Sequence, residues 1–451
     1  MIARKTSTTL NGTTHVRAQL LSSRPQEHNM QKSRTGRRLI ATTLLSAALT
    51  AGMVACSSSD DGGDAAAEPS ANESVLGTPN KATGTPVTIG FVSEGQSQSI
   101  DVTDEIRGAE AAANYANEYL GGIGGHPIQV KSCQALAQPA VATDCANQMV
   151  QAKAAAVVGP TPGELDNLVD VLSPAKIPLV IHSGTTQKGL SSPGVFSLTN
   201  GTAYFAISAT AAKDEGLKNT VGVAIGVPGA EGPTRQLGSL IWGNAGLDFS
   251  VVGIPPGTAD MTPQISAAGA DADNFFVIGN DSFCTSAFKA IKTTKPNAPI
   301  FAIDRCVTIG GGSSIPNGYE DINVATALNL SPDAPDSQLY SAVLAKYGDG
   351  AKFGQLSSAG YAPMLGMIKA LNAAKVTDPT QQTVMEAMKT APPTEYPLTN
   401  GIMFQCNGKQ IPISPNICSA DGILAKATKN GELTDFQQVT IDPKLYATPS
   451  A

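Results

Sequence analysis

Aromatic side chains are scarce in this chain: one Trp, nine Tyr and 12 Phe make up 5% of 451 residues. Charge is thin at 15%, and histidine occurs only four times. Basic residues are the minority, 30 against 37 acidic, and they crowd at one end. Residues 1–55 hold eight of them (Arg4, Lys5, Arg17, Arg24, Lys32, Arg34, Arg37 and Arg38) and a single acid, Glu27. The rest therefore has 22 basic and 36 acidic residues, a net of −14. An acidic body has no electrostatic footprint for nucleic acid, so no nucleic-acid partner is expected.

Long apolar runs are also missing. The only candidate, Leu39 to Ala55, is uncharged but too short for a comfortable membrane span. Catalytic signatures are absent as well: no GxSxG elbow, no HExxH, no GxxxxGK[ST] and no GxGxxG attached to a strand. "GGG" at 310–312 is an isolated glycine run in a loop. There is no CxxC, and the histidines are scattered, so neither a metal site nor a cofactor is expected. Enzyme chemistry therefore has little to stand on.

What is present begins at the N-terminus. Lys32, Arg34, Arg37 and Arg38 form a basic block ahead of the Leu39–Ala55 run, the order of a secretory signal. The segment before it is long for such a signal, and Met30 supplies a start of ordinary length. Residues 1–29 are thus expected to be untranslated or an n-region extension, and 30–55 the signal peptide. Arg37-Arg38 followed by Leu39-Ile40 is weakly similar to a twin-arginine signal; an ordinary secretory n-region is expected instead. Met53-Val54-Ala55-Cys56 resembles a bacterial lipobox, in which the cysteine is acylated and becomes the mature N-terminus; the alternative is ordinary cleavage after Ala55, which leaves a stray thiol. Residues 56–85 are rich in Ser, Asp, Gly, Ala and Pro, which makes them a tether between a lipid on Cys56 and a fold starting at Pro86. The protein is then exported and anchored to the outer face of the cell membrane.

Six cysteines remain, an even number that suggests disulfides in an exported protein. They allow 15 pairings, but they fall into three local couples. The pairs expected are Cys133–Cys145, Cys284–Cys306 and Cys406–Cys418.

The body alternates apolar strands with helices. "VTIGFVS" (87–93) reads as a buried strand, and "DEIRGAEAAANYANEYL" (104–120) as a helix with Ile106, Ala109, Ala113 and Ala116 on one face. "AAAVVGP", "IPLVIHSG", "TVGVAIGVP", "DFSVVGIPPG", "NFFVIGN" and "PIFAID" continue the pattern, with helical segments between. "INVATALNL" (322–330) reads as a connecting strand, and 396–442 as turn-rich β structure. Apolar strands separated by helices indicate α/β architecture, with parallel sheets covered on both faces.

This order resembles the type I periplasmic binding proteins, the branch containing leucine/isoleucine/valine- and amide-binding receptors of ABC transporters. The likeness spans about residues 86–440. "VTIGFVS…DEIRGAEAAANYANE…GGIGGHPIQV", "AAAVVGP…IPLVIHSG" and "PPGTADMTPQISAA…FFVIGN" carry it. It implies two Rossmann-like lobes joined by a multi-strand hinge, with a ligand trapped between them. Lobe one would hold 86–203 and 328–400, and lobe two 204–327 and 401–445. A lipid-anchored monomer that passes a small solute to an ABC permease is the function implied. A ligand-sensing module of the same fold, acting with a separate signalling partner, is the alternative.

Ligands of open α/β sheets sit beyond the carboxyl ends of the strands, and that rule selects the candidate residues. The loop "SEGQSQSID" offers Ser93, Gln96, Ser97 and Asp101, unless it is a plain polar loop. "GPTPGE" offers Thr161, which could equally cap a helix. Amino-acid receptors of the family present a serine hydroxyl where this chain has Gly163. That departure weakens an amino-acid assignment, although the backbone N–H groups stay usable. "HSGTT" places Ser183, Gly184, Thr185 and Thr186 where the family clamps its ligand from lobe one, with His182 a structural neighbour. In lobe two the candidates are Glu231, Asp281, Phe283 and Asp304, the three acids being either ligand contacts or solvated loop charges. If all three face the cleft, a cationic or polar ligand follows; if Phe283 and Tyr204 turn inward instead, a hydrophobic one.

Overall fold

The computed structural model describes residues 73–97 and 101–448. The signal segment, Cys56 and most of the tether lie outside the described residues. Residues 73–85, assigned to the tether by composition, belong to the fold. Glu73–Leu76 forms a 3-10 turn, and Leu76 is 2% exposed in the first core. Asn80 and Ala82 then donate backbone N–H bonds to Glu118 and Asn117. The tract is poor in apolar residues, but one buried leucine and paired backbone groups are enough to dock it.

The chain builds its first sheet from β1 (Val87–Ser93), β2 (Ile128–Gln134), β3 (Ala156–Gly159), β4 (Leu179–Ile181) and β5 (Val195–Ser197). Between them run α1 (Thr103–Tyr115), α2 (Pro139–Gln151), α3 (Leu165–Leu172) and α4 (Gln187–Ser191). The helix read over 104–120 is α1 followed by a π-helical turn, Ala116–Leu120, which stops at left-handed Gly121. All pairings are parallel, in the order β2-β1-β3-β4-β5. Each β3 and β4 residue is buried, as sheets covered on both faces require.

The second sheet repeats this order. After α5 (Ala203–Asp214) come β6 (Asn219–Ile225), α6 (Pro228–Ala245), β7 (Asp248–Ile254), α7 (Thr262–Ala268), β8 (Asn274–Ile278), α8 (Asp281–Thr294), β9 (Ile300–Ile303) and β10 (Ile322–Thr326). The parallel order β7-β6-β8-β9-β10 matches the first sheet, strand for strand. Trp242 on α6 is fully buried between Phe205, Phe249 and Phe276, and its Nε1 donates to Thr220 at 2.9 Å. The stretch 322–330, read as a connector, supplies β10 as a full member of this sheet.

The chain then returns to the first core with α9 (Pro335–Tyr347), α10 (Gln355–Ala373) and α11 (Gln381–Thr390). A short hairpin follows, β11 (Thr394–Glu395) against β12 (Met403–Phe404). β13 (Gly422–Ala427) and β14 (Leu433–Val439) finally extend the second sheet by antiparallel pairing beside β10. Phe404, Cys406 and Cys418 pack in the first core, whereas Ile411, Ile417 and Ala420 pack with α5 in another. The last crossing between lobes therefore falls around 407–421, later than the 401 boundary, because β12 stays paired to β11. Among the described residues no helix is long and apolar enough to cross a membrane.

The structure bonds Cys133 to Cys145, Cys284 to Cys306 and Cys406 to Cys418.

Candidate functional site

A cavity of about 370 Å³ lies where the carboxyl ends of β4 and β5 face those of β9 and β10. From the first sheet, Thr161, Ser183 and Thr185 present hydroxyls to it, and Thr161 and Ser183 share a 2.8 Å hydrogen bond. His182 lines it too, with Nδ1 2.6 Å from the Tyr396 hydroxyl. Burial pushes the His182 imidazole down to about 4, so it is neutral at physiological pH. From the second sheet come Asp304, Arg305 and Thr326. Tyr204 and Ala203, at the start of α5, together with Asn200 and Gly201 just before it, close one wall. Thr399, from the β11–β12 hairpin, and Ser419 and Asp421, from the segment that crosses between the lobes, close another.

Asp304 is held from two sides. One carboxylate oxygen accepts the Arg305 backbone N–H at 2.8 Å, and the other accepts from the Thr326 hydroxyl at 3.2 Å. Burial raises its pKa despite these bonds, which favour the charged form. Arg305 beside it makes no ion pair among the described residues, and it is exposed to the cavity.

The other sequence candidates do other work. Thr186 caps α4, accepting from Gly189 N–H at 3.1 Å while donating to Asp166 at 2.6 Å. Gly184 donates to the Ser197 hydroxyl. Gly163 N–H is taken by the Glu94 carboxylate at 2.9 Å, and Glu94 also accepts from Ala137, so the backbone donor at Gly163 already has a partner. Gln96 donates its N–H to Gln134, and Asp101 accepts from Thr103 at the start of α1. Ser97 lies between them and does not line the cavity. Glu231 pairs with Arg235 one helical turn on, at 2.7 Å. Asp281 accepts from the N–H of Ser282 in the first turn of α8. Phe283 is 6% exposed in the second core and does not turn into the cleft, whereas Tyr204 does.

Ser93 is buried at the end of β1 and donates to the Glu105 carboxylate. Burial pushes Glu105 up to about 7, with the Ser93 bond opposing the shift. The folded protein thus keeps a proton that the unfolded chain releases above its ordinary pKa of 4.5. By linkage, this group's contribution to stability is greatest at low pH, falls as pH rises from about 4.5 to about 7, and is level above. Glu105→Gln keeps the hydrogen bond and removes the charge. It is expected to gain up to roughly 3 kcal/mol relative to wild type between pH 4.5 and pH 7.5. Urea unfolding of both proteins across that range tests this, and a pH-independent difference between them would refute it. His182 acts in the opposite sense below about pH 6.5, but it is common to both proteins and cancels in the difference.

Sequence reasoning missed Arg305, Asn200, Tyr396 and Ser419. Arg305 adjoins a candidate in "AIDRC" and was reachable by the same strand-end rule. Tyr396 was not, since it meets His182 across 214 residues.

The family model of periplasmic binding proteins matches residues 86–415. No curated protein matches the chain. Among solved structures, an ABC transporter substrate-binding protein from Sphaerobacter thermophilus is 20% identical with a TM-score of 0.64, over 80% of this chain and 98% of that one. The branched-chain amino acid transporter substrate binding protein from Streptococcus pneumoniae, in complex with isoleucine, is 19% identical with a TM-score of 0.58, over 79% and 99%. A solute binding protein from R. palustris, in complex with 4-hydroxybenzoate, is 18% identical with a TM-score of 0.60, over 80% and 98%. The doubled β2-β1-β3-β4-β5 order, the chain crossings and the family match agree: this chain belongs to the periplasmic binding protein family.

Proposed function

We propose that the protein is a lipid-anchored extracytoplasmic solute-binding protein that captures a small polar molecule between its lobes and delivers it to an ABC transporter permease. The observation that carries this is the cavity at the strand ends, to which both sheets and the crossing segments contribute polar side chains. At about 370 Å³ it is of small-molecule size. A ligand touching both walls is bound best when the lobes close, so binding and hinge motion are coupled. The solved structures of this fold include receptors of ABC transporters, one holding isoleucine and another 4-hydroxybenzoate. Capture and release, without turnover, is the role of such a trap, and the protein works as a monomer. The lipobox at Met53–Cys56 supplies the membrane attachment through Cys56.

Two measurements test this. A thermal-shift screen against amino acids, amides, urea, polyamines and aromatic acids is expected to find a solute that raises the melting temperature, since a ligand that binds only the folded state stabilises it by mass action. No shift with any solute, alongside a shift with a partner protein, would sink the receptor reading in favour of sensing. Cys56→Ser is expected to leave the protein unprocessed or released into the medium. Acylated, membrane-bound Cys56→Ser protein would refute the anchor.

A further inference from the structure

A second cavity, of about 950 Å³, adjoins the first and shares Thr185, Tyr204, Ile303 and Arg305 with it. Its character is different. Leu190, Phe205, Leu237, Leu240, Ile278 and Ile413 form much of its wall, and Arg305 is its one charged lining residue. It also reaches Ala224 and Ile225 at the end of β6 and Ile278 at the end of β8. Between those two strands the order of the second sheet reverses. That reversal point is where open α/β sheets bind ligands by general rule. The polar cavity, at β4, β5, β9 and β10, is displaced from it.

The hydrogen bonding of the charged groups points the same way. Of the three lobe-two acids that would have favoured a cation, only Asp304 reaches the cavities, and both its oxygens already accept hydrogen bonds. Asp421, in the polar cavity, accepts the Ile441 backbone N–H. Arg305 makes no close ion pair among the described residues, its charge reaching the neighbouring Asp304 carboxylate only at longer range, and it stands at the junction of the two cavities. A guanidinium offers a planar fork matched to a carboxylate. Thr185 and Tyr204, which carry hydroxyls, line both cavities beside Arg305.

We propose that the ligand is an amphipathic organic carboxylate, its anionic head at Arg305 and the shared rim and its apolar body in the cavity against α6. This rests on the receptor reading and replaces its polar solute with an amphipathic one. An amino acid of ordinary size would leave the apolar cavity unfilled. An acid with an alkyl or aryl body several carbons long fills it and loses that surface from water.

Calorimetric titration of the full mature chain with acetate, butyrate, hexanoate and octanoate tests the idea, with octanamide and leucine as comparators. Affinity is expected to rise about four-fold per added methylene, the worth of one buried CH₂, until the cavity is full. Octanamide is expected to bind at least ten-fold more weakly than octanoate. Arg305→Gln should erase that preference for the acid, weakening octanoate at least ten-fold more than octanamide. Ala230→Phe, which places a ring on the α6 wall of the second cavity, should remove the chain-length dependence and spare butyrate. Circular dichroism and urea midpoints establish that both variants are folded. Leucine binding as tightly as octanoate, or affinity flat with chain length, would overturn the proposal and leave the receptor reading standing. If none of these compounds and no solute of the wider screen binds, the receptor reading falls with it.

Discussion

Gly360→Ala is expected to cost about 3 kcal/mol or more and to lower the urea midpoint accordingly, because two helix backbones touch at this point. A Cβ on Gly360 would lie 1.8 Å from the carbonyl oxygen of Glu105 on α1. One turn later on α1, a Cβ on Gly108 would lie 2.0 Å from the carbonyl oxygen of Ser357, one turn before Gly360 on α10. The two glycines are paired across one crossing of α1 and α10. A clash with a flexible side chain is relieved by rotation, but a clash with backbone is relieved only by moving a helix. Parting α1 from α10 by more than an ångström would loosen Tyr361, Met364, Leu365 and Ile368, all at most 2% exposed in the first core. Dispersion contacts and apolar burial are lost together in that case. Gly243→Ala on α6 is the control: nothing lies within 4 Å of its Cβ position, so it should be neutral or gain up to about 1 kcal/mol from helix propensity. A Gly360→Ala protein as stable as wild type would show that the helices are not in backbone contact.

Removing the Cys284–Cys306 bond is expected to have a similar effect on stability and an additional one on binding. The bond closes 22 residues of chain between the first turn of α8 and the short turn after β9. Freeing a loop of that length in the unfolded state costs about 3 kcal/mol of stability in the chain-entropy account. Both cysteines are fully buried, so Cys284→Ala/Cys306→Ala adds a small loss of packing. Its position matters more for function. Cys306 directly follows Asp304 and Arg305, the two charged strand-end residues of the cavity. Untethered, that turn should sample more conformations, and the affinity for whatever solute the screen identifies should fall alongside the urea midpoint. Mutation of Cys133 and Cys145, which join β2 to α2 away from the cavity, should lower stability with little change in affinity. If the double-alanine variant lacking Cys284 and Cys306 unfolded at the wild-type midpoint, the stabilising role of the bond would be refuted.

Candidate residues divided according to what else was near them. Thr161, Ser183, Thr185 and Asp304 were identified by position, each just past a strand, and all four line the cavity. Thr186, Glu231 and Asp281 satisfy the same rule, yet a helix cap, an i,i+4 ion pair and a first-turn hydrogen bond occupy them. A strand-end position makes a side chain available without saying which local partner takes it first. Phe283 and Tyr204 show the same limit for apolar groups: each begins a helix, and only the packing of α5 and α8 buries one and exposes the other to the cleft.

From the amino-acid order alone came the α/β alternation, the paired cysteines and the strand-end loops, because helix and strand periodicities and turn residues act over a few neighbours. Three things were decided only by the tertiary structure. They are the repeated β2-β1-β3-β4-β5 order, the late third crossing at 407–421, and the apolar cavity that joins the polar one at Arg305. Each depends on contacts between residues far apart in the chain, such as His182 with Tyr396 or Leu190 facing α6 across the cleft. No local pattern encodes those, since they follow from how whole layers pack.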